Sequence, residues 1–309
     1  MSYVLALAAA CVAAVTSVLQ RIGIEKAPAD ASMKLGLMAH AVRRKIWLVG
    51  FGLMLVQFVL QAVALRFGQL STVQPVLTTE LIFLVLILTF VFHHRLRSVD
   101  WMAVAAVVVG LASFIVIAHP ATGRGIPSQT AWLAVTFVMV AVVTALVLAA
   151  RSGPRWWRAA SFGAASAVLV AYNAAIIKAV TTLVTEGWGH VFVSWEPYAL
   201  AISGLGSLFL LQNALHAGPL TASRATIVIV NPLVSIVIGV TAFEEHLRTG
   251  SGYLVGEMLA LSVLFLGAFV LTQSPLVAGV VPGGPGEFLG EASTAFSRQE
   301  VAKVEPEGL

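Results

Sequence analysis

The chain has 309 residues, 59% of them hydrophobic and only 10% charged, with a formal net charge of +4. An average soluble domain is roughly 25% charged. This composition, with a mean hydropathy of +0.95, therefore excludes an ordinary soluble enzyme, a disordered protein and a nucleic-acid-binding domain.

A helix needs about 20 apolar residues to cross the hydrocarbon core of a bilayer. Nine such runs follow one another: 2–20, 46–66, 70–93, 101–118, 129–150, 159–184, 196–216, 221–243 and 252–272. The expected fold class is therefore all-α, a polytopic membrane protein with the lipid bilayer as its first partner. The apolar runs are continuous rather than alternating, which excludes a β-barrel. The first run lacks a basic leader, and no small-residue cleavage site in it is followed by a soluble mature domain, so it reads as a span rather than a signal peptide. The single cysteine, Cys11, lies in that run and can form no intramolecular disulfide. Between the first and second runs, residues 21–45 are polar, with a short amphipathic middle from Met33 to Val42. The last 29 residues, 281–309, open on Val281-Pro282-Gly283-Gly284 and carry five Glu against one Arg and one Lys. They read as a disordered acidic tail.

Loops rich in Lys and Arg stay in the cytoplasm. With nine spans and the tail inside, 14 of the 18 Lys and Arg lie inside, three (Arg66, Arg124, Arg248) lie outside, and Lys178 lies within a span. Trp188 and Trp195 flank the 185–195 loop, as interfacial aromatics do. The basic balance is thus a topology signal, and the expected location is the cell membrane with a cytoplasmic tail.

The sequence repeats itself. Gly68-Gln69-Leu70-Ser71 returns as Gly218-Pro219-Leu220-Thr221. Phe92-His93-His94-Arg95-Leu96 returns as Phe243-Glu244-Glu245-His246-Leu247. Leu60-Gln61 with Ala64-Leu65 returns as Leu211-Gln212 with Ala214-Leu215. Three matches in the same order, 150 to 151 residues apart, define two halves, 1–120 and 121–275, followed by the tail 276–309. An odd number of spans separates the copies, so the halves are inverted, a pattern of secondary transporters.

These residues, with Val73-Gln74-Pro75, Trp101, Gly110, Asn231-Pro232 and Glu245-x-Leu247, resemble the drug/metabolite transporter superfamily. The chain is most similar to EamA-like actinobacterial members near the NIPA-type magnesium transporter branch. The resemblance covers about 1–275 and implies two inverted halves of five spans each. Hydropathy gives only four in the first half. Charge bias favours nine spans; symmetry favours ten, with 28–45 crossing. Nine is the reading taken here.

An ionisable group at a span's centre costs ~2.5–3.5 kcal/mol or more, so each marks a candidate site. Glu80 lies about ten residues into its span, roughly 15 Å deep at 1.5 Å per residue, where a carboxyl can bind a proton or a cation. Gln74, Pro75, Thr78 and Thr79 accompany it. Asn231-Pro232 lies at the matching depth of its own span, and its proline can open the helix. Gln57 and Gln61 share one helix face, Gln61 matches Gln212, and Asn173 adds a mid-span amide. All are candidate substrate ligands, or else interhelical glue. Lys178 and Glu257 lie at similar depth, which suggests a salt bridge, an outer gate, or a Lys178 contact with an anionic substrate. The Glu245 position, near a helix terminus, carries a structural role by the resemblance. No P-loop, nucleophile elbow or HExxH occurs, so no enzymatic activity and no cofactor are expected.

The expected function is a secondary-active carrier of a small metabolite, drug or ion, coupled to a proton or cation gradient. The alternatives are a divalent-cation permease for magnesium and a non-transporting scaffold of envelope assembly. A homodimer is compatible with either. A tag at Ser2 is expected to be accessible from outside intact cells, and a protected tag would overturn the nine-span count.

Overall fold

The computed structural model describes residues 1–25, 45–91, 96–121, 123–248, 250–274 and 277. Most of the 28–45 stretch, His93-His94 and the acidic tail lie outside the described residues. The described chain is helical throughout: α1 Ser2–Glu25, α2 Lys45–Phe67, α3 Leu70–Leu77, α4 Glu80–Phe90, α5 Ser98–Ala118, α6 Gln129–Ala149, α7 Arg155–Glu186, α8 Trp188–Val193, α9 Glu196–Ala217, α10 Leu220–Thr241 and α11 Ser251–Gln273. Among the described residues nine helical spans are long and apolar enough to cross a membrane, with α3 and α4 together forming one of them. In hydrocarbon each backbone N–H and C=O must be satisfied within the segment, and a helix does that locally. This is a multi-pass membrane protein.

The spans start and stop where chain chemistry demands. Ser128 caps α6, its hydroxyl accepting from Ala131 N at 3.2 Å. His119 ends α5 in the left-handed region at φ 38°. Gly68-Gln69 and Gly218-Pro219, the repeated stretches, both break one helix and start the next. The 185–195 stretch, expected as a plain loop, folds into the short helix α8.

One span is not continuous. Pro75 has no N–H to donate, which loosens the helix around it. Its carbonyl takes both Thr78 N (3.2 Å) and Thr78 Oγ1 (2.6 Å), while Val76 O takes Thr79 N (3.0 Å) and Thr79 Oγ1 (2.7 Å). These i→i−3 bonds tighten the turn at Thr78-Thr79 and separate α3 from α4. Glu80 opens α4.

Packing centres on α7. At ~1.5 Å per residue its 32 residues run about 48 Å, longer than the ~30 Å core. Ala165, Ala171, Ala175 and Ala179 are fully buried and let α2, α6, α9 and α10 approach closely. Helix α6 is peripheral: only Trp132 and Met139 are buried.

Helices α5 and α11 cross through two glycines. A Cβ on Gly110 would lie 2.5 Å from Leu264 N and 2.8 Å from Ala260 O. A Cβ on Gly267 would lie 2.8 Å from Ala103 O and 2.9 Å from Val107 N. The two contacts are reciprocal and run antiparallel. With no deformable side chain at the contact, a methyl group must push the backbones apart. Gly110→Ala and Gly267→Ala are each expected to destabilise by about 1–3 kcal/mol, measured as a lowered Tm in detergent. Gly52→Ala, where a Cβ meets nothing within 4 Å, is expected to leave Tm unchanged.

Candidate functional site

The broken span places a helix N-terminus inside the protein. Gln69 precedes α3 in extended conformation, and its side chain does not cap the helix. The donors are taken from far along the chain. Glu245 Oε1 accepts from Leu70 N at 2.6 Å, and Oε2 from Ser71 N at 2.9 Å. Lys178 Nζ donates to the same Oε1 at 2.5 Å. The ammonium also lies 4.7 Å from the Phe243 ring centre. Glu245 is 2% exposed and Lys178 is 7% exposed. A charge so deeply buried persists only where partners replace its water. Here two backbone N–H groups, the positive end of a helix and an ammonium do so together.

The local chain explains how Glu245 arrives there. α10 ends at Thr241, and Phe243 N returns to Ile238 O at 3.3 Å. Glu244 then takes a left-handed φ of 53°, which sends its side chain out to Arg124 (2.8 Å) and leaves Glu245 facing in. Glu245 N closes onto Gly239 O at 3.0 Å. A Cβ on Gly239 would lie 2.4 Å from Glu245 Oε2, so only glycine leaves the carboxylate its place.

A clasp surrounds this pair. Ala121 N donates to His246 O (2.9 Å), Arg124 N to Phe243 O (2.6 Å) and Arg248 N to Ala118 O (2.9 Å). Gln69 Nε2 donates to Pro120 O at 3.3 Å. The segments after α5 and after α10 are thereby stitched together at the end of the bundle that holds the start of α3.

From that end a polar seam runs between α3 and α10, which pack antiparallel. Asn231 Nδ2 donates to Gln74 Oε1 at 3.3 Å. Among the described residues, four buried atoms there find no protein partner: Ser71 Oγ, Gln74 Nε2, Asn231 Oδ1 and Ser235 Oγ. Ser71 and Gln74 are one turn apart on α3, as are Asn231 and Ser235 on α10. Glu80, half-buried at the start of α4, accepts from Ser17 Oγ of α1 at 3.1 Å. A carboxylate is favoured in that first turn by the helix dipole.

The structure brings Gln74 and Asn231 together and seats Glu80 just beyond the break. Asn173 is engaged elsewhere: Ser203 Oγ donates to its Oδ1 at 2.5 Å, joining α7 to α9. Gln57 and Gln61 are half-buried on α2, and Gln212 is exposed on α9. The suggested bridge between Lys178 and Glu257 does not form. Lys178 pairs with Glu245, and Glu257 is buried on α11 with Oε1 unpartnered. Equal depth had suggested the pairing, but depth does not specify which helices are neighbours. The resemblance did mark Glu245 as an acid near a helix terminus. Ser71 was visible only as a member of the repeated Gly68-Gln69-Leu70-Ser71 stretch, and Ser17 and Ser235 carried no sequence signal, because serine is common in spans.

No family model matches the chain, and no solved structure matches it. An uncharacterized protein of Corynebacterium glutamicum is similar, 28% identical over 262 residues that cover 84% of this chain and 90% of that one.

Removing one partner of a buried pair strands the other. Lys178→Met and Glu245→Ala are each expected to cost about 3–5 kcal/mol, read as loss of Tm. The double variant is expected to cost less than the sum. The charge swap is expected to fail, because a lysine at 245 would face the N–H groups of Leu70 and Ser71. Full recovery by the swap would refute this account of the pair.

Proposed function

We propose that this protein is a secondary-active carrier of drug/metabolite-transporter type in the cell membrane, its C-terminal tail cytoplasmic. It moves a small molecule by alternating access. The observation that carries the reading is the seam between the broken span and α10: Gln74 bonded to Asn231, with four buried polar atoms unpartnered. Unpartnered polar atoms are expensive in hydrocarbon. They are retained where something else binds them. Discontinuous helices at mid-depth, with freed backbone and polar side chains, are how carriers build such places.

The two halves, 1–120 and 121–275, then rock about the reciprocal crossing of α5 and α11. Glu80 lies beside the break, on the half-helix that points away from the clasp. In this reading it takes up and releases the coupling proton or cation as its surroundings change between states. Ser17 holds its carboxylate in the state seen here.

The test is a thermal-shift screen of purified protein against metabolites, drugs and metal ions, followed by flux in proteoliposomes. A ligand that binds the folded state raises Tm by mass action. A stabilising compound is expected, with its effect lost in Gln74→Ala and Asn231→Ala. Glu80→Gln is expected to keep the stabilisation and to lose flux driven by an ion gradient. Wild-type driven flux in Glu80→Gln removes Glu80 from coupling, and no stabilising compound in any class removes the carrier reading.

A further inference from the structure

The groups that hold the Glu245 carboxylate are a complete anion site without it. Leu70 N, Ser71 N and Lys178 Nζ converge on one carboxylate, and all three belong to helices. α3 and α7 fix them in place. Their occupant sits on a connecting segment, behind Glu244 at φ 53°. The seat is built on helices and its plug is on a loop. A second, separate feature lies in the seat itself. Ser71, whose N–H holds Oε2, has a fully buried hydroxyl with no protein partner. From Ser71 the unpartnered atoms continue through Gln74 to Asn231, so the seat opens the polar seam rather than ending at it.

We infer that this seat takes the anionic group of the transported molecule, a carboxylate, in exchange for the carboxylate of Glu245. The reason is charge. Withdrawing Glu245 leaves a buried ammonium and a helix N-terminus facing no anion, which is strongly unfavourable. A neutral or cationic molecule does nothing to relieve that. A carboxylate restores every interaction Glu245 made. Opening of the clasp is thereby tied to arrival of an anion, and the closed state is the one in which the protein supplies its own. The cargo half of this inference rests on the carrier reading; the seat does not.

The two halves separate by experiment. Glu245→Ala removes a CH₂–COO⁻ unit, which acetate replaces. In full-length Glu245→Ala, purified with acetate present throughout and then exchanged, acetate is expected to give a saturable upward shift in Tm. Chloride at equal ionic strength is expected to give none. Wild type and Glu245→Ala/Lys178→Met are expected not to respond to acetate. An acetate effect no larger than that of chloride overturns the seat. Wild-type protein tests the cargo, whatever becomes of the variant. A compound that stabilises it through the seam is expected to carry a carboxylate and to lose its effect as the methyl ester. An equally effective ester overturns the anionic cargo and leaves the carrier reading standing.

Discussion

The contact that organises this protein is one carboxylate on one helix end. Glu245 satisfies the first two N–H groups of α3, neutralises Lys178 on α7, and lies against Gly239 on α10. Remove it and three separate problems appear at once: orphan backbone donors, an unpaired ammonium, and a loop with no anchor. In water each would be mild, because solvent would fill in. Where Glu245 and Lys178 are almost fully screened from solvent none is mild, because the alternative partners are few. That is why an acid some 175 residues distant in sequence can determine where a short helix begins.

The same constraint shapes the break at Thr78-Thr79. A proline inside a span frees a carbonyl one turn earlier and weakens the local ladder. The two threonines answer from inside the chain, each hydroxyl returning to the carbonyl three residues before it. The backbone is therefore satisfied at the turn, yet the axis is interrupted and Glu80 becomes the first residue of a new helix. A carboxyl at a helix start is favoured by the dipole there, so the break makes Glu80 tolerable in hydrocarbon. The proline, the threonines and the acid form one device. Their order along the chain, Pro75, Thr78, Thr79, Glu80, is the order in which each solves the difficulty left by the last.

Span by span, the architecture was readable from the sequence. Hydropathy placed all nine spans within a few residues, because a bilayer imposes one length and one composition on every helix that crosses it. Position along each span was also readable, since rise per residue is fixed. Rotation about each axis, and the identity of neighbours, were not. Lys178 and Glu257, expected at one depth, do not meet; Lys178 and Glu245 meet because a left-handed residue turns the chain after α10. Gln74 stood out as a companion of Glu80 in a proline-bearing span, and Asn231 as the matching position of the second half. That they bond to each other depends on α3 and α10 packing antiparallel. Gln212, by contrast, has the right residue type on a face that the fold leaves exposed. Periodicity cannot separate those cases, because every face of a membrane helix is apolar and a lipid-facing side looks much like a packed one.

The repeated stretches carry a difference that matters more than their likeness. Gly68-Gln69-Leu70 and Gly218-Pro219-Leu220 both end one helix and begin another, each through a closely packed glycine: a Cβ on Gly68 would lie 2.8 Å from Ser2 Cβ, and one on Gly218 would run into Arg155 O. The residues that lock the first of these helix starts are not repeated. Where the second copy reads Phe243-Glu244-Glu245, the first reads Phe92-His93-His94, and the position 150 residues before Lys178 is Pro28. Sequence alone therefore denies the start of α10 the acid and the ammonium that hold the start of α3. The buried Lys178–Glu245 pair therefore belongs to one helix start, and the repeat does not carry its residues to the other.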